Sequence, residues 1–232
     1  MSAHKDALAE AGIAQIKSGM VVGLGTGRAA SRAIRALGRR IKDEGLEIKC
    51  VATSEASEKV AKEVGLEVID FALVEQVDFL FDGADECDTE LRMLKGAGGA
   101  MTRERIVAWA SNRCVYLVQE HKVVENLGSN TTLAIAVMAF GLASIRAELR
   151  SFGLNGVCRR TMDGQLYITD NGNLILDVMI DGQDLDELAS HLNDIPGVID
   201  HGLFLTEADE IIVEHGDKIE RLVRPVPAGA GA

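Results

Sequence analysis

Hydrophobic positions along the first half of the chain alternate between two periods. Ala7 to Ile16 carries an apolar stripe at helical spacing, and Met20-Val21-Val22-Gly23-Leu24 is a short apolar run of the kind that forms a buried strand. After Gly25-Thr26-Gly27 the helical stripe resumes at Ala30, Ala33, Ile34, Leu37 and Ile41, with Arg32, Arg35, Arg39 and Arg40 on the other faces. The pattern then predicts a strand over Ile48–Thr53 and a helix from Ser54 to Val64, capped at Ser54 and stopped by Gly65. Strands follow over Glu67–Phe71 and Val77–Phe81, a helix over Met101–Ala110 and a strand over Arg113–Val118. Strands alternating with helices in this way pair in parallel, which predicts a doubly wound, mostly parallel sheet. Such sheets take up ligands outside the carboxyl ends of their strands.

Beyond Gly128 the rhythm changes. A strand over Leu133–Met138, a helix over Leu142–Phe152, strands over Val157–Met162 and Leu174–Ile180, a helix over Leu185–Asn193 and a strand over Val198–Phe204 spell β-α-β-β-α-β. That is the split pattern of a ferredoxin-like α+β unit. Two more strands, Glu210–Glu214 and Glu220–Val223, are expected to rejoin the first sheet, and the tail Pro225–Ala232 to be loose. The expected α/β chain therefore has a Rossmann-like catalytic domain of residues 1–127 and 205–232, with a ferredoxin-like domain of residues 128–204.

Composition excludes several classes of function. With 47% hydrophobic and 26% charged residues the chain can bury a core, and no run approaches the ~18 apolar residues of a membrane span. Lys5, Asp6 and Glu10 interrupt the first residues, unlike a secretory signal, so a cytoplasmic protein is expected. A net charge of −12 repels nucleic acid and anionic membrane, and any anionic ligand must be met by a local basic cluster and backbone N–H groups. Aromatics at 4% leave no stacking platform for single-stranded nucleic acid. Cys50, Cys87, Cys114 and Cys158 are widely spaced, which favours reduced thiols over a zinc or redox site.

Three segments could carry chemistry. Gly23-Leu24-Gly25-Thr26-Gly27-Arg28 lies between a strand and a helix, where glycines admit a phosphate to unpaired helix N–H groups. A dinucleotide fingerprint would need glycine in place of Arg28, so the segment fits a monophosphate cradle, or only a tight turn. Asp82-Gly83-Ala84-Asp85-Glu86-Cys87-Asp88 could bind a divalent metal, hold sugar hydroxyls, or form a solvated turn. Lys95-Gly96-Ala97-Gly98-Gly99-Ala100 sets a cation beside flexible backbone suited to an oxyanion. Glu104, following in Thr102-Arg103-Glu104-Arg105, reads as a helix-capping acid or as a general base.

Taken together, the three segments resemble ribose-5-phosphate isomerase, type A. The resemblance extends through Thr53-Ser54-Glu55-Ala56-Ser57, Thr169-Asp170-Asn171-Gly172-Asn173, Ile175-Leu176-Asp177, Ile195-Pro196-Gly197-Val198 and Gly202-Leu203-Phe204, and so through nearly the whole chain. It implies an aldose–ketose isomerase that interconverts ribose 5-phosphate and ribulose 5-phosphate through an enediolate, with neither metal nor cofactor. By resemblance Glu104 is the general base, Asp82 and Asp85 hold hydroxyls and help to open the ring, and Lys95 stabilises the enediolate. The substrate is then expected against Thr26, Gly27, Arg28 and Ala29, along Asp82, Gly83, Ala84 and Asp85, and along Lys95, Gly96, Ala97 and Gly98. Lys5 and Lys122 fall where the family has lysines near the substrate, which makes both candidates for countering the phosphate charge. A homodimer or homotetramer is implied as well. The rivals are an amino-sugar phosphate deaminase of the same broad fold group and a sugar-phosphate sensor without turnover, although a sensor needs no base.

The chain departs from the family in two places. Arg28 and Ala29 stand where the family has serine and threonine, which removes two hydroxyl donors from the phosphate loop. Leu133-Ala134-Ile135-Ala136-Val137 replaces a leucine-proline-valine-glutamate run near the second domain.

Overall fold

A computed structural model describes residues 6–224. In chain order α1 (Ala7–Ile13), β1 (Val21–Leu24), α2 (Arg28–Glu44), β2 (Lys49–Ala52) and α3 (Glu55–Val64) are followed by β3 (Phe79–Gly83). Two short strands, β4 (Glu86–Cys87) and β5 (Met93–Leu94), precede α4 (Met101–Trp109) and β6 (Cys114–Gln119). The second half contains β7 (Leu133–Val137), α5 (Leu142–Ser151), β8 (Val157–Cys158), β9 (Leu174–Val178), α6 (Leu185–Asp194), β10 (Val198–His201), β11 (Leu203–Phe204), β12 (Glu210–His215) and β13 (Lys218–Val223).

The main sheet has the order β13-β12-β6-β3-β1-β2, parallel except for the terminal β13. Because β2 lies on one side of β1 and β3 on the other, the chain reverses direction across the sheet between β1 and β3. A crevice opens at the carboxyl ends of the strands at such a reversal. One face of the sheet packs on α1 and α2, through Leu8, Ile13, Ile34 and Leu37 against Leu24, Phe81 and Leu117. The other face packs on α4, through Met101 and Val107.

The second sheet runs β10-β7-β9-β8, antiparallel throughout, as β-α-β-β-α-β connectivity requires. Its period of two sorts its residues. Leu133, Ile135, Val137, Leu174, Leu176 and Val178 pack with α5 and α6, while Ala134, Ala136 and Ile175 join the core beside α4. The altered segment 133–137 is therefore the buried strand β7, paired on both sides, and its two alanines face the first unit.

Three expected strands come out differently. Glu67–Phe71 makes a single bridge, Val68 to Cys50, after which Asp70 accepts the Ala72 amide at 3.0 Å and turns the chain into a 3₁₀ turn. Val157–Met162 keeps only two ladder residues, because Thr161 to Gln165 close a tight turn. Val198–Phe204 is divided at Gly202, whose amide donates to Ala134 O at 2.8 Å and whose carbonyl accepts the Lys95 amide at 2.9 Å. A Cβ on Gly202 would stand 2.0 Å from Lys95 O, so only glycine permits this crossing. β11 then joins β4 and β5 in a three-stranded sheet that the hydrophobic pattern did not announce. The expected loose tail lies outside the described residues.

Candidate active site

The turn after β1 is built against β3. A Cβ on Gly25 would lie 2.2 Å from Asp82 Oδ1, and the Thr26 amide donates to that oxygen at 2.9 Å, as does the Gly83 amide at 2.7 Å. The Thr26 hydroxyl is engaged elsewhere, 2.8 Å from Thr53 Oγ1 and 2.7 Å from Ser54 Oγ. Ser54 in turn caps α3 in a reciprocal capping box with Ser57. Thr53 and Ser54 thus brace the glycine turn from beneath.

The four acids of the segment 82–88 divide into two pairs. Glu86 is buried and accepts the Gly128 amide at 2.6 Å and the Asn130 amide, which ties down the entry to the second sheet. Asp88 accepts the Glu90 and Arg92 amides at 2.9 and 3.0 Å and holds the Arg92 guanidinium, closing the β4–β5 turn. Asp82 and Asp85 face the chemistry. Asp85 accepts the Ala97 amide at 2.8 Å, while Asp82 is completely buried beneath the cavity wall. Asp82 is thus not exposed in the cavity wall, where Asp85 is. Its nearest charge is the Lys95 ammonium, 3.0 Å away. Among the described residues no group of three or more metal-binding side chains is arranged around an ion.

Lys95 is 3% exposed and lies between the two remaining carboxylates, its Nζ 3.0 Å from Asp82 Oδ2 and 3.4 Å from Glu104 Oε1. It donates to Gly83 O, and the Tyr116 and Phe204 rings flank it at 5.4 and 5.6 Å. Asp82 Oδ2 is off the direction of a hydrogen bond to Lys95, so this pair is a charge contact. Glu104 does not cap its helix. The cap residue of α4 is Ala100, and the Glu104 side chain turns inward, with Oε2 buried and without a protein partner.

Burial by itself would lower the Lys95 pKa, but Asp82, Glu104 and Asp85 outweigh it and hold the ammonium above its ordinary value. Desolvation, and then repulsion from Asp82, push Glu104 up to about 8 against the pull of Lys95. Burial raises Asp82 too, opposed by the Lys95 ammonium and by the Gly83 and Thr26 amides that donate to it. A carboxyl works as a base only when deprotonated, so a reaction that used Glu104 as its base would slow as pH drops through this raised value. The acid limb of kcat/KM is expected above pH ~7, well beyond the pKa of about 6 of a sugar phosphate monoanion. A limb near the ordinary glutamate value would show that Glu104 is not the titrating group.

Above the cluster opens a cavity of ≈ 430 Å³. The turn after β1 contributes Thr26 to Ala29, β3 and its loop Gly83 to Asp85, the glycine loop Lys95 to Gly98, and α4 contributes Glu104. The end of β6 adds Leu117 to Gln119 and, just beyond, Lys122. Arg28 is exposed at the rim and pairs with no described carboxylate. Lys122 donates to Ala84 O, and burial lowers its pKa. Lys5 lies outside the described residues. Arg32 and Gln119 were not anticipated. Arg32 lines the cavity while bound to Asp6 at 2.6 Å and Glu214 at 2.8 Å, a pairing no local motif reveals. Gln119 ends a parallel strand, and that position was itself a usable signal.

The family model for ribose 5-phosphate isomerase A (phosphoriboisomerase A) matches residues 49–218. Ribose-5-phosphate isomerase A of Gluconobacter oxydans is 41% identical over 223 residues, covering 95% of this chain and 96% of the relative. The protein of the same name from Methanococcus aeolicus is 39% identical over 89% of each chain. Among solved structures, ribose 5-phosphate isomerase A of Methanocaldococcus jannaschii superposes with a TM-score of 0.89 at 35% identity, over 93% of this chain and 96% of that one. A D-ribose-5-phosphate isomerase in complex with phospho-erythronic acid superposes with a TM-score of 0.90 at 33% identity, over 94% and 96%.

Proposed function

The chain belongs to the ribose 5-phosphate isomerase A family, and from that membership we propose how its cavity residues divide the work. The reaction is the aldose–ketose interconversion of ribose 5-phosphate and ribulose 5-phosphate, a step of the pentose phosphate pathway. Glu104 removes the C2 proton of the open-chain aldose, the C2–H electron pair forms the C1–C2 double bond, and the carbonyl electrons move to O1. Lys95 and the Gly98 amide meet the charge developing on the enediolate oxygens, a proton passes from O2 to O1, and Glu104 returns its proton to C1. The observation that carries this reading is a carboxyl of raised pKa, 3.4 Å from a buried ammonium, at the wall of a cavity. The ligand of the relative supports it, since the planar carboxylate of a phosphorylated four-carbon sugar acid mimics the enediolate oxygens.

Asp85 holds a substrate hydroxyl and assists ring opening, and Asp82 acts through Lys95. Arg28 at the N-terminus of α2 meets the phosphate in place of the family's hydroxyl donors, with Lys122 and, by resemblance, Lys5 as further counter-charges. Substitution of Arg28 with alanine is expected to raise KM for ribose 5-phosphate by ~10-fold, the worth of a charge-assisted hydrogen bond, with kcat little changed. Arg28→Ser should recover part of the loss. An unchanged KM in initial-rate assays would leave the phosphate to the glycine-turn amides and the lysines.

The chain is further proposed to act in the cytoplasm as a homodimer or homotetramer. No described helix is long and apolar enough to cross a membrane. Exposed Met138, Phe140 and Ile199, near one end of the second sheet, are the kind of apolar surface that subunits cover.

A further inference from the structure

We propose that Arg159, carried by the second sheet and locked by Asp177, is a positioning residue that sets the glycine loop over the substrate. The proposal rests on the reading of that loop as the donor to the enediolate. Arg159 follows β8, and its amide donates to Ile175 O at 2.8 Å, extending the ladder with β9. Its guanidinium lies along Asp177 of β9, with Nε 2.9 Å from Oδ2 and Nη2 bonded to Oδ1. This planar two-point pairing leaves Nη1 aimed at the first unit, where it donates to Gly96 O at 2.7 Å and Ala97 O at 3.0 Å. The Tyr167 hydroxyl donates to the next carbonyl, Gly98 O, at 3.1 Å.

Peptide planarity turns these contacts into a statement about the cavity. In a trans peptide the carbonyl and the following N–H point to opposite sides. Holding Gly96 C=O toward Arg159 directs the Ala97 N–H the other way, where it reaches Asp85 Oδ2 at 2.8 Å. Holding Ala97 C=O directs the Gly98 N–H away from Arg159, on the side where Gly98 lines the cavity. One guanidinium thus fixes both the orientation of Asp85 and the direction of a free amide. The loop closes one turn of its own, the Gly99 amide donating to Gly96 O at 2.9 Å, while the Ala97 carbonyl is held from outside by Arg159. Lysine cannot replace this fork, because one ammonium cannot satisfy Asp177 and two carbonyls in a single plane.

The test combines steady-state kinetics with thermal melting on Arg159→Ala, Arg159→Lys, Asp177→Asn and, as a control, Arg160→Ala, whose side chain points to Gly164 O on the exposed side. Arg159→Ala is expected to lose kcat by about 10–100-fold, with KM within about threefold of wild type and melting within a few degrees. Guanidinium ion at ~20 mM should restore several-fold of the lost kcat in Arg159→Ala, and none in Glu104→Gln. Asp177→Asn and Arg159→Lys should show smaller losses in kcat, and Arg160→Ala none. Wild-type kcat in Arg159→Ala, a loss confined to KM, or a loss that follows unfolding and resists guanidinium would each overturn the proposal. If Arg159→Ala is fully active while Glu104→Gln is dead, only the clamp falls. If Glu104→Gln stays active, the acid–base assignment fails whatever Arg159 does.

Discussion

Glu104→Gln is expected to remove turnover, lowering kcat by ~10²–10⁴-fold while KM for ribose 5-phosphate stays within a few-fold. The amide keeps the shape of the carboxyl and its place 3.4 Å from Lys95 but cannot accept a proton from carbon. The same variant should be more stable than the wild type at alkaline pH. The folded-state pKa of Glu104 is raised from 4.5 to about 8, so the folded chain binds the proton more tightly than the unfolded chain does. Stability from this group is therefore lost as pH rises from the unfolded value through the raised one, and glutamine carries no such penalty. Melting curves at pH 5 and pH 9 should show the gap between variant and wild type widening with pH. A variant retaining more than about a tenth of wild-type kcat would remove Glu104 from the role of base.

Lys95→Met is expected to cost both activity and fold stability. Methionine fills the volume but leaves Asp82, completely buried, with two amide donors and no cation. Removing one partner from a buried ion pair typically costs ~3–5 kcal/mol, which for a chain of this size lowers Tm by on the order of 10 °C. Without Lys95 the Asp82 carboxyl is pushed further up, so the penalty should be smaller at pH 5 than at pH 8. Adding Asp82→Asn removes the stranded charge and should return more than half of the lost stability without returning turnover. Calorimetry of the single and double variants decides the matter. A double variant no more stable than Lys95→Met would mean that the pair is not the source of the loss.

Much of this architecture was legible before any coordinates. Alternation of apolar strands and striped helices gave the parallel sheet, because burial on both faces leaves near-continuous apolar runs such as Val21–Leu24 and Cys114–Val118. Ser54 and Gly65 marked the ends of α3, since caps are set by local hydrogen bonds and a left-handed φ that glycine tolerates. Short motifs marked the loops at the strand ends, where the cavity later appeared. Pairings between distant segments could not be read in this way. The three-stranded sheet of β4, β5 and β11 uses only two residues from each strand, with β11 far along the chain from the other two, too few to carry a period.

The sequence alone determined the fold class, the order of the longer helices and strands and the family, because these rest on periodicity, capping and ordered motifs, all local in the chain. Tertiary structure alone decided what each charged residue does. Asp82, Asp85, Glu86 and Asp88 are alike as sequence, yet one is a buried counter-charge, one faces the cavity, one anchors the Gly128 and Asn130 amides and one closes a turn. Glu104 stands where a capping acid would, and it takes a high pKa only because burial in the core and the neighbouring Asp82 outweigh the pull of Lys95. Arg159 carries no local signal at all, and its place depends on β8, β9 and the glycine loop meeting across the two sheets. A pKa or an ion pair is set by burial and by distance in space, neither of which a linear order of residues contains.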